Sequence, residues 1–193
     1  MKIHADLGPK LTIDVTKQER ETAKSAKKQF KALLKQLDDA FDLIFDFKDA
    51  VVREHPSQET LQSTYHGRIL RFRRKVQKTF NALLLELQKE IQNLSSIMDT
   101  EMSQLEKVIL SEFDEISDLV ESFLELLGDA KRDGFTQKLE KLCTQLDQRK
   151  GSINDIIDQQ LFNHLETDIL GKTKISHYKA QIYKRIRLLR KLS

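Results

Sequence analysis

The stretch Asn93-Leu-Ser-Ser-Ile-Met-Asp-Thr100 decides the fold, because a helical apolar pattern runs straight through it. Apolar residues recur every three or four positions in one phase from Leu61 to Leu127, and no Gly or Pro separates the two halves. One continuous helix over residues 57–127 would be roughly 105 Å long at the α-helical rise. Asn, Ser, Asp and Thr bond their own backbone and favour helix ends. We therefore predict a turn within residues 93–100 and a chain that folds back on itself.

The first two helices are bounded by capping residues and a proline. Thr16 and Glu19 have the spacing of a capping box, which predicts the start of the first helix. His55-Pro56 predicts its end, because the residue before a proline disfavours the helical conformation. A second helix is then predicted from about Ser57 up to the turn.

The second half of the chain is bounded mainly by glycines. Gly128 predicts the end of the third helix as a left-handed cap, and a loop follows it. A fourth helix has a polar interruption over residues 147–152, where Gly151 is expected to kink or split it. Gly171 predicts the end of that helix, and a fifth helix is predicted from about Thr173.

The first fifteen residues differ from the rest, because apolar and polar residues alternate on both sides of Gly8-Pro9. This period of two predicts a short β-hairpin or an extended arm over residues 1–15, with a frayed terminus as the alternative. The full prediction is an all-α fold: an elongated antiparallel bundle of about five long helices over residues 16–193, carrying that arm. A division into sub-bundles 16–97 and 98–193 is a second option.

The composition favours a non-enzymatic protein of a reducing compartment. The 193 residues include one cysteine, Cys143, so an intrachain disulfide and a Cys-based zinc site are excluded. Its place beside Leu142 predicts a buried structural thiol. The chain has no glycine-rich phosphate loop and no HExxH or GxSxG motif, and its five histidines are scattered. Without a signal sequence or an apolar run of membrane-spanning length, we expect a cytoplasmic protein.

Charge is sorted along the sequence. Ten acidic residues and one basic residue lie between Asp99 and Asp129, whereas eight Lys or Arg and no acid follow Asp168. The basic segments 68–78 and 172–191 are predicted first to neutralise the acidic helix and the 38–49 edge inside the bundle, and second to contact anionic lipid. Binding of the basic segments to nucleic acid is the third and least favoured prediction, since aromatic stacking residues are few. The residues predicted to point inward from the fifth helix are Ile175, Tyr178, Ile182, Ile186 and Leu189.

Two acidic pairs have a spacing that can serve a metal ion. Asp38 and Asp42 on the first helix, and Asp114 and Asp118 on the third, are each four residues apart and lie on one helix face. Together they could supply hard oxygen ligands to a divalent or ferric ion. The alternative is that the four carboxylates only solvate the edges of their helices.

The strings Asp38-Asp39-Ala40-Phe41-Asp42 and Asp114-Glu115-Ile116-Ser117-Asp118 resemble the E/D-x-x-x-D motif of the PhoU-like family. Residues 103–192 also resemble the cytoplasmic PhoU-like tail of sodium/phosphate symporters. The resemblance implies duplicated three-helix bundles, a metal held by the acidic motif, and a regulatory role in phosphate transport or signalling. The string Tyr183-Lys184-Arg185-Ile186-Arg187-Leu188 departs from the family, which usually has acids there.

Two functions are predicted from this pattern. The first is a non-enzymatic, PhoU-like regulatory bundle peripheral to the inner face of the membrane, whose basic C-terminal helix meets a partner or an anionic surface. The second is a coiled-coil scaffold or adaptor that self-associates or binds partner helices. Both imply a protein partner, and neither requires catalysis.

Overall fold

A computed structural model describes residues 8–54, 56–57, 59–60, 66–97, 102–128, 134–165, 182–187 and 189–190, with side chains from Arg20 onward. All long elements within these ranges are helices, and no strand occurs in them, which confirms the all-α prediction. Residues 182–187 and 189–190 are also helical. The long helices are α1 (Gly8–Glu54), α2 (His66–Ile97), α3 (Met102–Gly128) and α4 (Phe135–Ile156), the last continued by a π-helical turn (Ile157–Leu161) and an α-helical turn (Phe162–Leu165).

The four helices form an antiparallel ring. α1 packs against α2 and α4, and α3 packs against the same two helices, so α1 and α3 lie at opposite corners. Contacts between the start of one helix and the end of its neighbour show that neighbours run in opposite directions. These contacts pair Gln29 with Glu90, Phe47 with Phe72, Ser95 with Glu106, Glu115 with Arg149, and Phe30 with Phe162.

The predicted turn between the second and third helices is confirmed. α2 ends at Ile97 and α3 begins at Met102. Ser96 donates its hydroxyl proton to the carbonyl oxygen of Asn93 over 2.7 Å, as expected where side chains compete with the helix for backbone groups. Ser95 donates to the Glu106 carboxylate across the turn, over 2.5 Å. A single rod over residues 57–127 is therefore excluded.

Phenylalanine rings on the predicted apolar stripes fill the core. Phe41 meets Phe80 edge to face with ring centroids 5.6 Å apart, and Phe123 contacts rings from both α1 and α2. Edge-to-face pairs add to the stabilisation that comes from burial alone. No polar or charged residue is buried within the described part of the chain. The bundle is therefore held by apolar packing.

The extended arm predicted over residues 1–15 is wrong for residues 8–15, which form the first turns of α1. Pro9 is tolerated there because the first amides of a helix have no intrahelical acceptor to lose. Leu11 and Val15 lie four residues apart, so they share a helix face as readily as a strand face. Thr16 is consequently an interior residue of α1, and the predicted start at that position is wrong. Residues 1–7 lie outside the described ranges.

The other predicted helix boundaries within the described residues agree more closely with the structure. α1 ends at Glu54, as predicted. The Ser57 hydroxyl accepts the Thr60 amide proton over 3.2 Å, and residues 59–60 are helical, which supports a helix start at Ser57. Gly128 is the last residue of α3 as predicted, but it is not a left-handed cap, because the glycine with positive φ is Gly134, at 75°. Gly171 and Thr173 lie outside the described residues.

The polar segment 147–152 does not split the fourth helix, which continues through Gly151. The irregularity is instead the π-helical turn, which lies among buried apolar residues. Ile153, Ile157, Leu161 and Leu165 are spaced by four, which drifts away from the 3.6-residue period of an α-helix. A wider π turn corrects the drift and keeps all four side chains buried.

Gly134 and Gly151 should respond in opposite directions to replacement by alanine. G134A forces a β-carbon into a left-handed conformation and is expected to lower the free energy of unfolding by about 1–2 kcal/mol. G151A lies mid-helix with nothing within 4 Å of the added methyl group, and is expected to raise it by about 0.5–1 kcal/mol. Urea unfolding followed by circular dichroism measures both. Equal shifts in the same direction would contradict the helix path given for residues 134–156.

Candidate interaction surface

The four carboxylates predicted as metal ligands lie on diagonal helices. Asp38 and Asp42 are on α1, and Asp114 and Asp118 are on α3. Asp38 lies 3.9 Å from the Lys150 ammonium of α4, and the other three are exposed. No group of three or more His, Cys, Asp or Glu side chains in the described ranges could hold an ion. The described residues therefore do not bring the four carboxylates together, because α1 and α3 lie at opposite corners of the bundle.

Cys143 is buried in the core on α4, as predicted, with 3% of its surface exposed. Burial raises the pKa of its thiol to about 11, and the nearby Lys48 ammonium only partly opposes this. The thiol is thus protonated near neutral pH and poorly suited to nucleophilic attack.

This raised pKa predicts a loss of stability at alkaline pH. An unfolded thiol ionises near pH 8.5, whereas the folded one stays protonated to about pH 11. The stabilisation is complete below the lower value and is lost as pH rises between the two, by at most about 1.4 kcal/mol per pH unit. Urea unfolding at several pH values measures it against C143A, which has no thiol. The wild-type curve should fall more steeply than that of C143A, and parallel curves would refute the assignment.

Arg149 neutralises one edge of α3. Its guanidinium lies 2.5 Å from a carboxylate oxygen of Glu115 and 3.4 Å from one of Glu112, so it bridges α4 and α3. The acids that remain on the outer face of α3 are exposed and have no ion-pair partner within the described residues. These are Asp114, Asp118, Glu121 and Glu125.

The basic segment of α2 forms no ion pair with these four acids within the described residues, so their neutralisation by this segment stays a prediction. Within it, Arg73 turns toward α3, where its guanidinium carbon lies 3.6 Å from the position of a β-carbon on Gly128. A cation is favourable there, because the end of a helix is the negative end of its dipole. Its neighbours point to solvent without an ion-pair partner in the described ranges. They are Arg71, Arg74, Lys75 and Lys78.

The C-terminal helix departs most from prediction. We call residues 182–187 and 189–190 the tail segment. Ile182, Ile186 and Leu189, predicted to point inward, are 55%, 42% and 67% exposed, and Tyr183 is 69% exposed. Among the described residues the core is built by α1 to α4 with the turns that continue α4, and the tail segment contributes no buried residue to it. Ile175 and Tyr178 lie outside the described residues.

The tail segment is an amphipathic basic helix. Ile182, Ile186 and Leu189 recur at spacings of four and three, so they form one exposed apolar stripe. In the helical projection Arg185 lies beside that stripe and Lys184 behind it, and no acid follows Asp168. The periodicity of the sequence predicted the apolar face correctly, but it did not predict that this face is exposed.

Comparisons of the chain with known protein families, curated proteins and solved structures found no match. Within the described residues, no helix combines the length and apolar character needed to cross a bilayer. What the chain does must therefore be argued from its own surface.

Proposed function

We propose that this chain is a non-enzymatic interaction module that attaches to an anionic membrane surface through the tail segment. The observation that carries the proposal is the exposed stripe of Ile182, Ile186 and Leu189 on a helix whose charges are all positive. Helices of this composition lie in the plane of a bilayer interface, with the apolar face among the acyl chains. The cytoplasmic leaflet is the anionic one, so the proposed location is the inner face of a membrane.

The apolar stripe supplies the part of the affinity that salt does not screen. Full burial of a Leu or Ile side chain is worth about 1.5–3 kcal/mol, and an interfacial helix buries such a face about 5–10 Å deep. Tyr183 is suited to the same position, because its ring is apolar and its hydroxyl reaches the headgroups. These aliphatic chains supply one of the two signals that stable attachment requires, and the positive charges supply the other.

The basic residues supply the remaining part of the affinity, the part that salt screens, and make the tail segment prefer anionic lipid. Eight Lys or Arg follow Asp168, and each such charge near an anionic leaflet contributes about 1 kcal/mol. This attraction is screened at high ionic strength, whereas the apolar part is not. Binding should therefore weaken with salt without vanishing.

A docking site on the bundle of the same chain is less suitable for the apolar stripe than lipid is. An apolar recess of about 250 Å³ between Phe47, Val51, Ile69 and Phe72 has room for one or two side chains. The stripe from Ile182 to Leu189 extends over about 10 Å at the α-helical rise. A lipid interface accommodates all three side chains of the stripe at once, together with the positive charges beside them.

The regulatory role in phosphate transport implied by the PhoU-like resemblance stays a prediction. Membrane attachment does not depend on it. With or without the regulatory role, the tail segment would hold the four-helix bundle at the membrane, where the bundle can contact a partner protein.

Neutralising two tail charges tests the proposal with the full-length chain. K184Q/R185Q should weaken binding to phosphatidylserine-containing vesicles by about 10- to 30-fold in a co-sedimentation assay, because two cations leave the surface. K138Q/K141Q removes the same charge from exposed positions on α4 and should bind like the wild type. Pure phosphatidylcholine vesicles should bind weakly. Equal binding to both vesicle types, or equal losses in the two variants, would overturn the proposal.

A further inference from the structure

The outer face of α2 carries a stripe of positive charge. Arg71, Arg74, Lys75 and Lys78 follow the i, i+3, i+4, i+7 spacing of one helix face, and all four are exposed. Arg71 donates its Nε proton to the Gly67 carbonyl oxygen over 3.3 Å, but none of the four has an ion pair among the described residues. We call these four residues the basic stripe.

The neighbouring outer face of α3 carries a stripe of negative charge. Asp114, Asp118, Glu121 and Glu125 follow the i, i+4, i+7, i+11 spacing, and all four are exposed. Arg149 reaches Glu112 and Glu115 on the other flank of α3 and leaves these four unpaired within the described ranges. We call them the acidic stripe.

The two stripes lie side by side at the same height. Phe72 of α2 and Phe123 of α3 are in contact, with ring centroids 6.3 Å apart, and Ser95 of α2 contacts Glu106 of α3, so these contacts bracket the register of the antiparallel pair. Because both helices rise equally per residue, Arg74 lies level with positions 121–127 of α3 and Lys78 with positions 117–123, so the two stripes overlap in height. Packed helices have axes about 8–10 Å apart, so the two stripes lie on adjoining parts of the same bundle surface.

This arrangement is self-complementary under one twofold rotation. We propose that two copies of the chain associate through their α2–α3 faces, about a twofold axis parallel to the bundle. That rotation places the basic stripe of each copy on the acidic stripe of the other and keeps the matched levels, as an isologous interface requires. A perpendicular axis lying in the face would instead set α2 against α2 and α3 against α3, and like charges would repel.

The same face carries an exposed apolar residue that supports this contact. Leu85 of α2 is 53% exposed and continues the outer face about two turns beyond the basic stripe. Exposed ion pairs are individually weak and screened by salt, so the association must be sensitive to ionic strength. Its dissociation constant should rise by about tenfold or more when salt is raised from low to high concentration.

Charge reversal tests the pairing with the full-length chain in sedimentation velocity at low salt, without lipid. The wild type should be dimeric, whereas R74E/K78E and D118K/E121K should each be monomeric. An equimolar mixture of the two variants should dimerise again, because the altered stripe of each faces the complementary altered stripe of the other. The chain with all four reversals should also be a dimer. Circular dichroism checks that the exposed substitutions leave the helices intact.

The other outcomes overturn the proposal. A wild type that is monomeric at low salt has no such interface. Dimers that persist in R74E/K78E but are lost in D118K/E121K would place the basic tail of one copy on the acidic stripe of another. A mixture that stays monomeric would exclude the stripe-to-stripe pairing. None of these results bears on vesicle binding, so this inference and the proposed function fail separately.

Discussion

Replacing Phe123 with alanine is expected to lower the free energy of unfolding by about 3–5 kcal/mol, the range for a buried phenylalanine. Phe123 is fully buried on α3, and its ring meets Phe47 of α1 and Phe72 of α2 edge to face, at 6.2 Å and 6.3 Å between centroids. The substitution therefore removes packing that joins three helices at once. The cavity that remains cannot collapse without moving one of them.

Urea unfolding followed by circular dichroism measures this loss. Y183A is the control, because it truncates an aromatic residue that is 69% exposed on the tail segment. Its effect should stay within about 0.5 kcal/mol, as for surface substitutions in general. A loss below about 1 kcal/mol in F123A would mean that the three rings do not share one core.

The second large effect concerns the membrane. Replacing Ile182, Ile186 and Leu189 together with serine should lower the partition onto anionic vesicles by about 100-fold or more. Even partial burial of each side chain contributes about 1 kcal/mol or more, and each 1.4 kcal/mol is tenfold in affinity. Unfolding in urea should be unchanged, because all three side chains are exposed in the folded chain.

V108S is the matched control for this variant. Val108 is 46% exposed on α3, so its replacement removes exposed apolar surface from the bundle instead of the tail segment. Vesicle binding by V108S should equal that of the wild type. If the triple serine variant still binds like the wild type, the charges alone account for the attachment and the apolar stripe has no role in it.

Local signals in the sequence predicted the helix ends that local chemistry determines. Ser95 and Ser96 act through their own hydroxyl groups, and Pro56 restricts the residue before it, so both boundaries could be read without knowing the fold. The start of α1 could not be predicted from local signals, because the spacing of Leu11 and Val15 fits a strand and a helix equally.

Features that depend on which helices are neighbours could not be predicted. The spacing of Asp38 and Asp114 is the same whether their helices are adjacent or diagonal, and the structure makes them diagonal. Similarly, the stripe through Ile182 and Ile186 is apolar whether or not a core has room for it. Periodicity identifies an apolar face, but the closure of the ring by α1 to α4 decides whether that face is buried.

Entry of the tail stripe into the lipid interface can be measured directly, because the chain contains no tryptophan. I186W then places a single reporter on the apolar stripe, and K184W places one on the opposite, charged side. With phosphatidylserine-containing vesicles, the emission of I186W should move to shorter wavelength and be quenched by brominated acyl chains, while K184W changes little. If both variants respond equally, or if neither does, the tail segment does not bind the membrane through this face.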